Sequence, residues 1–485
     1  MPASLPRFSG RPVTARIFAA VDIGASSGRV IAGVIDAGTT TLHVVHRFAN
    51  GASAVDRHLR WSLTDLYGEV LAGLRALAAS FPSVESIGID TWAVDYGLLD
   101  ANGNLLSEPI SYRDNRTDAV IDDVHARVDP QAMYTVNGLQ FLPFNTVYQL
   151  AAEQRSPDWG RAAHIVLIPD LLAYWLTGEL RTESTNASTT GLLDVHTGRW
   201  ATELFENLGI SEKLFPTLDQ PGSQRGTIRP EVVRFTGLSP STVVTTVGSH
   251  DTASAVVAVP ASGTRFAYIS SGTWSLAGLE LARPVVTEDA RRANFTNERG
   301  VDGRTRFLRN VGGLWLLQES LRSWAREGRQ LELHQLLEEA RGVGPSTKRI
   351  DVDDVKFIAP GDMPVRISDA AGLSTSATPA EVTRCILDSL ASAYRHTVHT
   401  AGELAGAKVE TLAIVGGGSQ NSLLCQLTAD ESGLPVTAGP VEATALGNIL
   451  VQARSRGAAP SSLEEIRAKI AHTHRIRHYI PQEKV

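Results

Sequence analysis

Two aspartates stand among small polar residues in settings that suit phosphate chemistry, and they lie far apart in the chain. The first is Asp22, in Val21-Asp22-Ile23-Gly24-Ala25-Ser26-Ser27-Gly28-Arg29. Residues 17–23 and 29–35 read as strands, so the glycine segment is expected at the tip of a hairpin. Glycines allow a positive φ and close approach of the backbone to a ligand, while Ser26, Ser27 and exposed N–H groups offer hydrogen bonds to phosphate oxygens. Asp22, at the end of the first strand, is placed to hold a hydrated magnesium ion against those phosphates. The same segment is also ordinary turn chemistry, and alone it does not separate the two readings.

The second aspartate is Asp251, in Val247-Gly248-Ser249-His250-Asp251-Thr252-Ala253-Ser254-Ala255, between apolar runs 243–247 and 255–259. At a strand-to-helix junction it is positioned to accept a proton, with His250 and Thr252 as polar neighbours. It could equally cap the small-residue helix that follows. The order Ser249-His250-Asp251 is no hydrolase triad, because sequence neighbours do not supply triad geometry and no nucleophile elbow is present. A third element, residues 412–421, is an apolar strand ending in Gly416-Gly417-Gly418, with Ser419 placed to cap the next helix. Such backbone can lie flat against a ring or sugar, although a flexible connection reads the same way. Neither a P-loop nor a dinucleotide fingerprint is evident. His472, His474 and His478 read as a solvated tail rather than a metal cluster.

These residues need elements to position them. A chain of 485 residues exceeds what one core usually organises, so two domains are expected. Strand-like and helix-like segments alternate, which argues for an α/β class. Residues 85–99 and 164–168 read as core strands, the latter running into a helix over 171–176. Thr378-Pro379-Ala380-Glu381 is a capping-box helix start, and Val382, Ile386, Leu390, Tyr394 and Val398 then recur every four residues. Residues 266–280 again read as strand, small polar turn, strand, about 245 residues after the first such hairpin, which suggests a duplicated domain. The expected division is a disordered extension over 1–16, a domain over 17–260 and a domain over 261–485. The net charge of −7 comes without a basic block, so nucleic acid is not an expected partner. No apolar run is long enough to span a bilayer, and no membrane association is expected. Cys385 and Cys425 read as buried thiols of a reducing cytoplasm.

Two phosphate hairpins, a glycine-rich element and an aspartate between them resemble the actin, hexokinase and Hsp70-type ATPase fold, with duplicated ribonuclease H-like domains and an interdomain cleft. More specifically, the chain resembles the FGGY family of carbohydrate kinases, nearest its rhamnulokinase branch. The residues behind this are 22–29, Ser86-Ile87-Gly88-Ile89-Asp90-Thr91-Trp92, Tyr112-Arg113-Asp114, Gln140-Phe141-Leu142-Pro143-Phe144-Asn145-Thr146 and 249–255. They continue with Ser270-Ser271-Gly272-Thr273-Trp274-Ser275, Asn294-Phe295-Thr296-Asn297-Glu298, Gly313-Leu314-Trp315-Leu316-Leu317-Gln318, 416–418 and Glu442-Ala443-Thr444-Ala445-Leu446-Gly447-Asn448.

The resemblance implies that Ala25, Ser26, Ser27, Gly28, Arg29 and Thr273 contact ATP phosphates and that Gln318 and Gly417 belong to the nucleotide side. It implies that Ala93, His250, Asp251, Thr252 and Asn310 face the sugar, with Asp251 as catalytic base, and that Asp22 serves Mg2+ through water. The implied reaction is ATP-dependent phosphorylation of the C1 hydroxyl of L-rhamnulose in the cytoplasm. The alternatives are a related ketose such as L-fuculose or xylulose, or a non-catalytic ATP-binding module, which the presence of Asp251 disfavours. One departure stands out: rhamnulokinases usually carry Gly after Thr-Trp, whereas this chain has Ala93. A Cβ there reshapes the pocket if the sugar approaches closely, and is neutral if φ is negative.

Overall fold

The computed structural model describes residues 15–482 except Ala37, Pro82 and Thr347, so residues 1–14 of the expected extension lie outside the described residues. The chain divides into two compact units. The first comprises residues up to Ala258 with Leu281–Arg306 and Thr444–Ile466, and the second comprises Val259–Glu280, Phe307–Ala443 and residues from Arg467.

In the first unit the strands are β1 (Arg16–Ile23), β2 (Ser27–Asp36), β3 (Thr39–Ala49), β4 (Val84–Thr91), β5 (Gln224–Thr227) and β6 (Val243–Thr245). They form one sheet in the order β5-β6-β4-β1-β2-β3. β1 and β2 make the expected antiparallel hairpin with Asp22 opposite Arg29. β4 runs parallel to β1 with Asp90 beside Asp22. β1 is apolar on both faces because helices cover both. Ile17, Ala19, Val21 and Ile23 join a cluster with Leu66, Val70 and Leu74 of helix Leu63–Ser80 and with Leu171 and Leu172 of helix Ile168–Thr177. Phe18, Ala20, Ile31 and Ile35 join Ala445, Ile449 and Ala453 of helix Ala443–Ser455. Strand alternation then places Asp22, Arg29 and Asp90 on this second face.

Residues 85–99 are two strands, not one. The chain breaks after Thr91 and resumes at Tyr96–Leu99, which pairs with His164–Leu167 in a separate ladder. Between them Val94 adopts φ 68°, and Asp95 N donates to Ala93 O at 2.9 Å across it. A β-branched residue is disfavoured there, so surrounding bonds must hold the turn. Thr146 Oγ1 donates to Val94 O at 2.7 Å, and buried Asp95 accepts from the Trp61 and Trp92 indoles at 2.6 and 2.9 Å. An apolar run carries no period that signals such a break.

A second sheet, in the second unit except for Leu281, Thr305 and Arg306, carries β7 (Phe266–Ser271), β8 (Trp274–Leu281), β9 (Thr305–Gly312), β10 (Thr411–Val415), β11 (Val436–Ala438) and β12 (Arg477–Tyr479). Their order is β9-β8-β7-β10-β11-β12, and a short strand Thr296–Arg299 lies beyond β9 in the same sheet. β7 and β8 form an antiparallel hairpin, β10 and β11 follow in parallel, and β12 closes the edge antiparallel. The first unit repeats this plan, with β3-β2-β1-β4-β6 in the same arrangement and β5 on the antiparallel edge. The echo between the two hairpins is therefore an echo of whole sheets.

Helix Pro379–Ala405 starts at the expected capping box and buries Val382, Ile386, Leu390, Tyr394 and Val398. Both cysteines are buried free thiols. The C-terminal histidines are not in a tail: His472 lies in helix Leu463–Thr473 and His478 in β12 opposite Thr437. Their segment is ordered by edge pairing that polar composition conceals. Among the described residues no three His, Cys, Asp or Glu side chains gather closely enough to hold a metal directly, and no helix is long and apolar enough to cross a membrane.

Candidate active site

The β1–β2 tip is built by backbone. Gly24 N donates to Ser27 O at 2.9 Å, and Asn50 pins the loop through its N–H to Ser26 O at 3.2 Å and its amide to Gly24 O at 2.8 Å. Ser26 and Ser27 are exposed, Ala25 half-buried and Gly28 buried. The expected positive φ is found at neither Gly24 nor Gly28. Gly28 is required for a different reason, since a Cβ there would run into the Phe48 ring. The Arg29 guanidinium donates to Asp22 Oδ2 at 2.6 Å, so the two hairpin residues most suited to phosphate and metal are held together.

Beneath Asp22 lies a polar ladder that crosses from sheet to helix. Ser86 Oγ donates to Gln452 Oε1 at 2.5 Å, Gln452 Nε2 to Asn448 Oδ1 at 2.6 Å, and Asn448 Nδ2 to Asp90 Oδ2 at 2.5 Å. Asp90 is fully buried and its Oδ1 has no hydrogen-bond partner. Burial above all, with Asp22 and Asp251 nearby, holds its carboxyl well above the usual range, and the Asn448 bond only partly offsets this.

Asp251 is presented by a junction anchored on both sides. Thr91 N, at the end of β4, donates to Ser249 O at 2.9 Å. Ser249 in turn donates through its N–H and hydroxyl to Glu183 Oε2 at 3.0 and 2.8 Å. Glu183 is wholly buried and also caps helix Ser184–Ala187. His250 occupies the N-cap position of helix Asp251–Val257 without a side-chain cap bond, and Asp251 is the first helical residue. The carboxylate is therefore not the cap, and 31% of its side chain is open to solvent. Desolvation of the rest raises its carboxyl above the ordinary range, against the pull of His250, whose Nε2 lies 3.5 Å away.

Behind His250 and Thr252 sits Arg306, with no exposed surface. It donates to Thr252 Oγ1 at 2.7 Å and lies 2.9 Å from Glu298 Oε2, which is 3.1 Å from His250 Nδ1. Thr252 Oγ1 and His250 Nε2 are 3.1 Å apart. Burial would raise the Glu298 carboxyl, but Arg306 and His250 together hold it below its ordinary value. Sequence reading gave no role to Glu183, Glu298 or Arg306. Their sequence neighbours are mostly polar, so nothing local marks any of the three as buried. Ala93 is half-buried and outside the left-handed region, so its methyl brings no backbone strain.

In the second unit the turn Gly272-Thr273 is tied to the start of helix Trp315–Arg326. Leu314 N donates to Gly272 O at 3.0 Å and Trp315 N to Thr273 O at 3.1 Å. Gln318 lies one turn into that helix. Gly416, at φ 81°, stacks so closely on β7 that a Cβ would stand 2.9 Å from Ser271 O, and a Cβ on Gly418 would displace Ser271 Oγ. Gly417 between them is exposed and faces open space. Ser419 does not cap the next helix: its hydroxyl closes the turn onto Gly416 O at 2.6 Å, and Asn421 Oδ1 caps helix Ser422–Ser432 by accepting from Leu424 N at 3.0 Å. Thr273, Gly417 and Gln318 thus belong to one unit, with Asn310 on β9 of the same unit, whereas residues 22–29, Ala93 and 250–252 belong to the other.

The chain matches the N-terminal domain of the FGGY family of carbohydrate kinases over residues 17–258 and the C-terminal domain over residues 267–456. It is 40% identical over 471 residues to a rhamnulokinase of Bacteroides thetaiotaomicron, covering 96% of each chain. It is 43% identical over 470 residues to a rhamnulokinase of Pectobacterium carotovorum, covering 96% of this chain and 92% of that one. Among solved structures, a ligand-bound xylulose kinase from Lactobacillus acidophilus superposes with a TM-score of 0.79 at 17% identity, over 96% of this chain and 94% of that one. Plasmodium falciparum glycerol kinase with ADP superposes with a TM-score of 0.76 at 15% identity, over 97% and 95%. The last two share the fold.

Proposed function

Because the chain belongs to the FGGY family of carbohydrate kinases, we propose that it transfers the γ-phosphoryl group of ATP to the C1 hydroxyl of L-rhamnulose, in the cytoplasm. The observation that carries this reading is the similarity to rhamnulokinases along nearly the whole chain, at 40–43% identity.

Phosphoryl transfer needs mainly positioning and charge neutralisation. In this reading the N–H groups and hydroxyls of residues 25–28 bind phosphate oxygens on the first unit, and Thr273, Gln318 and Gly417 receive the nucleotide on the second. His250 and Thr252 hold sugar hydroxyls, with Arg306 and Glu298 keeping both side chains in place, and Asn310 offers a further hydrogen bond. Asp251 accepts the proton of the C1 hydroxyl as the bond to phosphorus forms, and its raised pKa makes it the stronger base. The all-oxygen donor set at Asp22 and the unsatisfied Asp90 oxygen fit a hard cation that keeps its waters. Magnesium bound there would neutralise phosphate charge. Asp22 would orient it through water.

The test is ADP release measured with L-rhamnulose, L-fuculose, xylulose and glycerol as acceptors. L-rhamnulose is expected to give the highest kcat/KM. A higher value with any of the others overturns the substrate assignment, and no sugar-dependent ADP release with any acceptor overturns the activity.

A further inference from the structure

Asp90 is the acidic group of the Asp22 face whose part in holding the cation the proposed chemistry leaves unspecified. β1 and β4 run in parallel with Asp22 and Asp90 in register, so their side chains leave the same face of adjacent strands, about 4.8 Å apart at the backbone. Its Oδ2 is fixed by Asn448, which is fixed by Gln452, which is held in turn by Ser86 Oγ and by its own bond to Ala19 O at 2.9 Å. This ladder removes rotational freedom from the carboxylate and leaves Oδ1 with a set direction. That oxygen is buried and takes no hydrogen bond, a costly state that native interiors resolve with a water or an ion. The described residues form no direct metal cage, whereas magnesium keeps several waters and is often held through them.

We propose that Asp90 is a positioning residue for the divalent cation, its Oδ1 accepting a hydrogen bond from a water bound to the ion that Asp22 orients. The inference rests on the assignment of magnesium to Asp22 made above. Two carboxylates on neighbouring strands would then fix the hydrated ion from two directions, one with Arg29 at its side and one with the Asn448 ladder behind it.

The experiment is titration of the full chain with Mn2+ in the presence of ADP, following free Mn2+ by electron paramagnetic resonance. Asp22→Asn and Asp90→Asn are compared with the unaltered protein. Asp90→Ser serves where the asparagine form does not fold, as judged by circular dichroism. Both Asp90 variants are expected to weaken Mn2+ binding by roughly 10- to 100-fold, the usual effect of losing an outer-shell partner. ADP affinity without metal is expected to stay unchanged in both Asp90 variants, and the melting temperature without metal in Asp90→Asn, whose side chain keeps an oxygen for Asn448, which a purely structural role would not allow. Weakening in Asp22→Asn with none in Asp90→Asn overturns the role of Asp90 and leaves the metal where it was assigned. Unchanged binding in both variants overturns that assignment as well.

Discussion

Replacing Arg306 by Met removes a guanidinium 2.9 Å from Glu298 Oε2 and 2.7 Å from Thr252 Oγ1 while keeping much of the side-chain volume. Glu298, only 7% exposed at its side chain, is then left without its main cation. Breaking a buried pair in this way costs about 3–5 kcal/mol, because an uncompensated charge remains. At a denaturant slope of about 3 kcal/mol/M, the urea midpoint should fall by about 1–1.7 M. The pH dependence gives a second signature. In the unaltered protein the Glu298 pKa is held below its ordinary 4.5, so its stabilisation is complete above about that pH and is lost as pH falls through the lower folded value. Without Arg306 burial dominates and raises the folded pKa above the unfolded one, so Arg306→Met regains stability on acidification from pH 7 towards 5. The gap between the two proteins should narrow over that range. Adding Glu298→Gln to Arg306→Met should recover about 2 kcal/mol and abolish the pH dependence of the gap. Additive losses in the double variant, or a gap indifferent to pH, would refute the pairing as the source of stability.

Four further outcomes follow from the same geometry. Asp251→Asn should lower the phosphorylation rate by about 10²–10⁴-fold, with ATP affinity unchanged by calorimetry, since a general base acts only on the reacting proton. Gly418→Ala should weaken nucleotide binding at least several-fold in the same assay, because its methyl needs the space of Ser271 Oγ and must move the glycine-rich turn. Ala93→Gly should leave the sugar KM within about twofold, as Ala93 lies outside the left-handed region where glycine is favoured. Neither cysteine should react with a thiol reagent at pH 8 before unfolding: both are buried, and burial pushes the Cys425 thiol up to about 12.

Most of what could be read from the chain was periodic or local. The β1–β2 hairpin, the second hairpin at residues 266–281 and the helix opened by Thr378 and Glu381 each declare themselves within a few residues. The break at Val94 did not, because its strained φ is imposed by bonds from Thr146 and Gln149 some fifty residues on. Ser419 was the expected cap on spacing alone, yet a hydroxyl two residues too early closes its own turn and leaves the cap to Asn421. Asp22 and Asp251 stand out as candidates because each lies among glycines or small polar residues. Glu183, Glu298, Arg306, Asn448 and Gln452 were not assigned, because they act through partners that are distant in sequence and near in space. The Asp90 to Asn448 bond spans 358 positions.

The return of residues 444–466 to the first unit has a consequence for how the protein is made. Phe18, Ala20, Ile31 and Ile35 are completed by Ala445, Ile449 and Ala453, which leave the ribosome long after the strands they cover. At about 5–20 residues per second, synthesis of the intervening chain takes on the order of twenty to eighty seconds. During that time one side of the nascent first sheet has no permanent cover. Severing the gene near residue 260 would make the vulnerability lasting, since an N-terminal fragment would lack the helix that seals its sheet. Successful cotranslational folding therefore depends on the second half of the chain being delivered promptly, and synonymous changes that slow elongation between residues 260 and 450 should lower soluble yield without altering one amino acid.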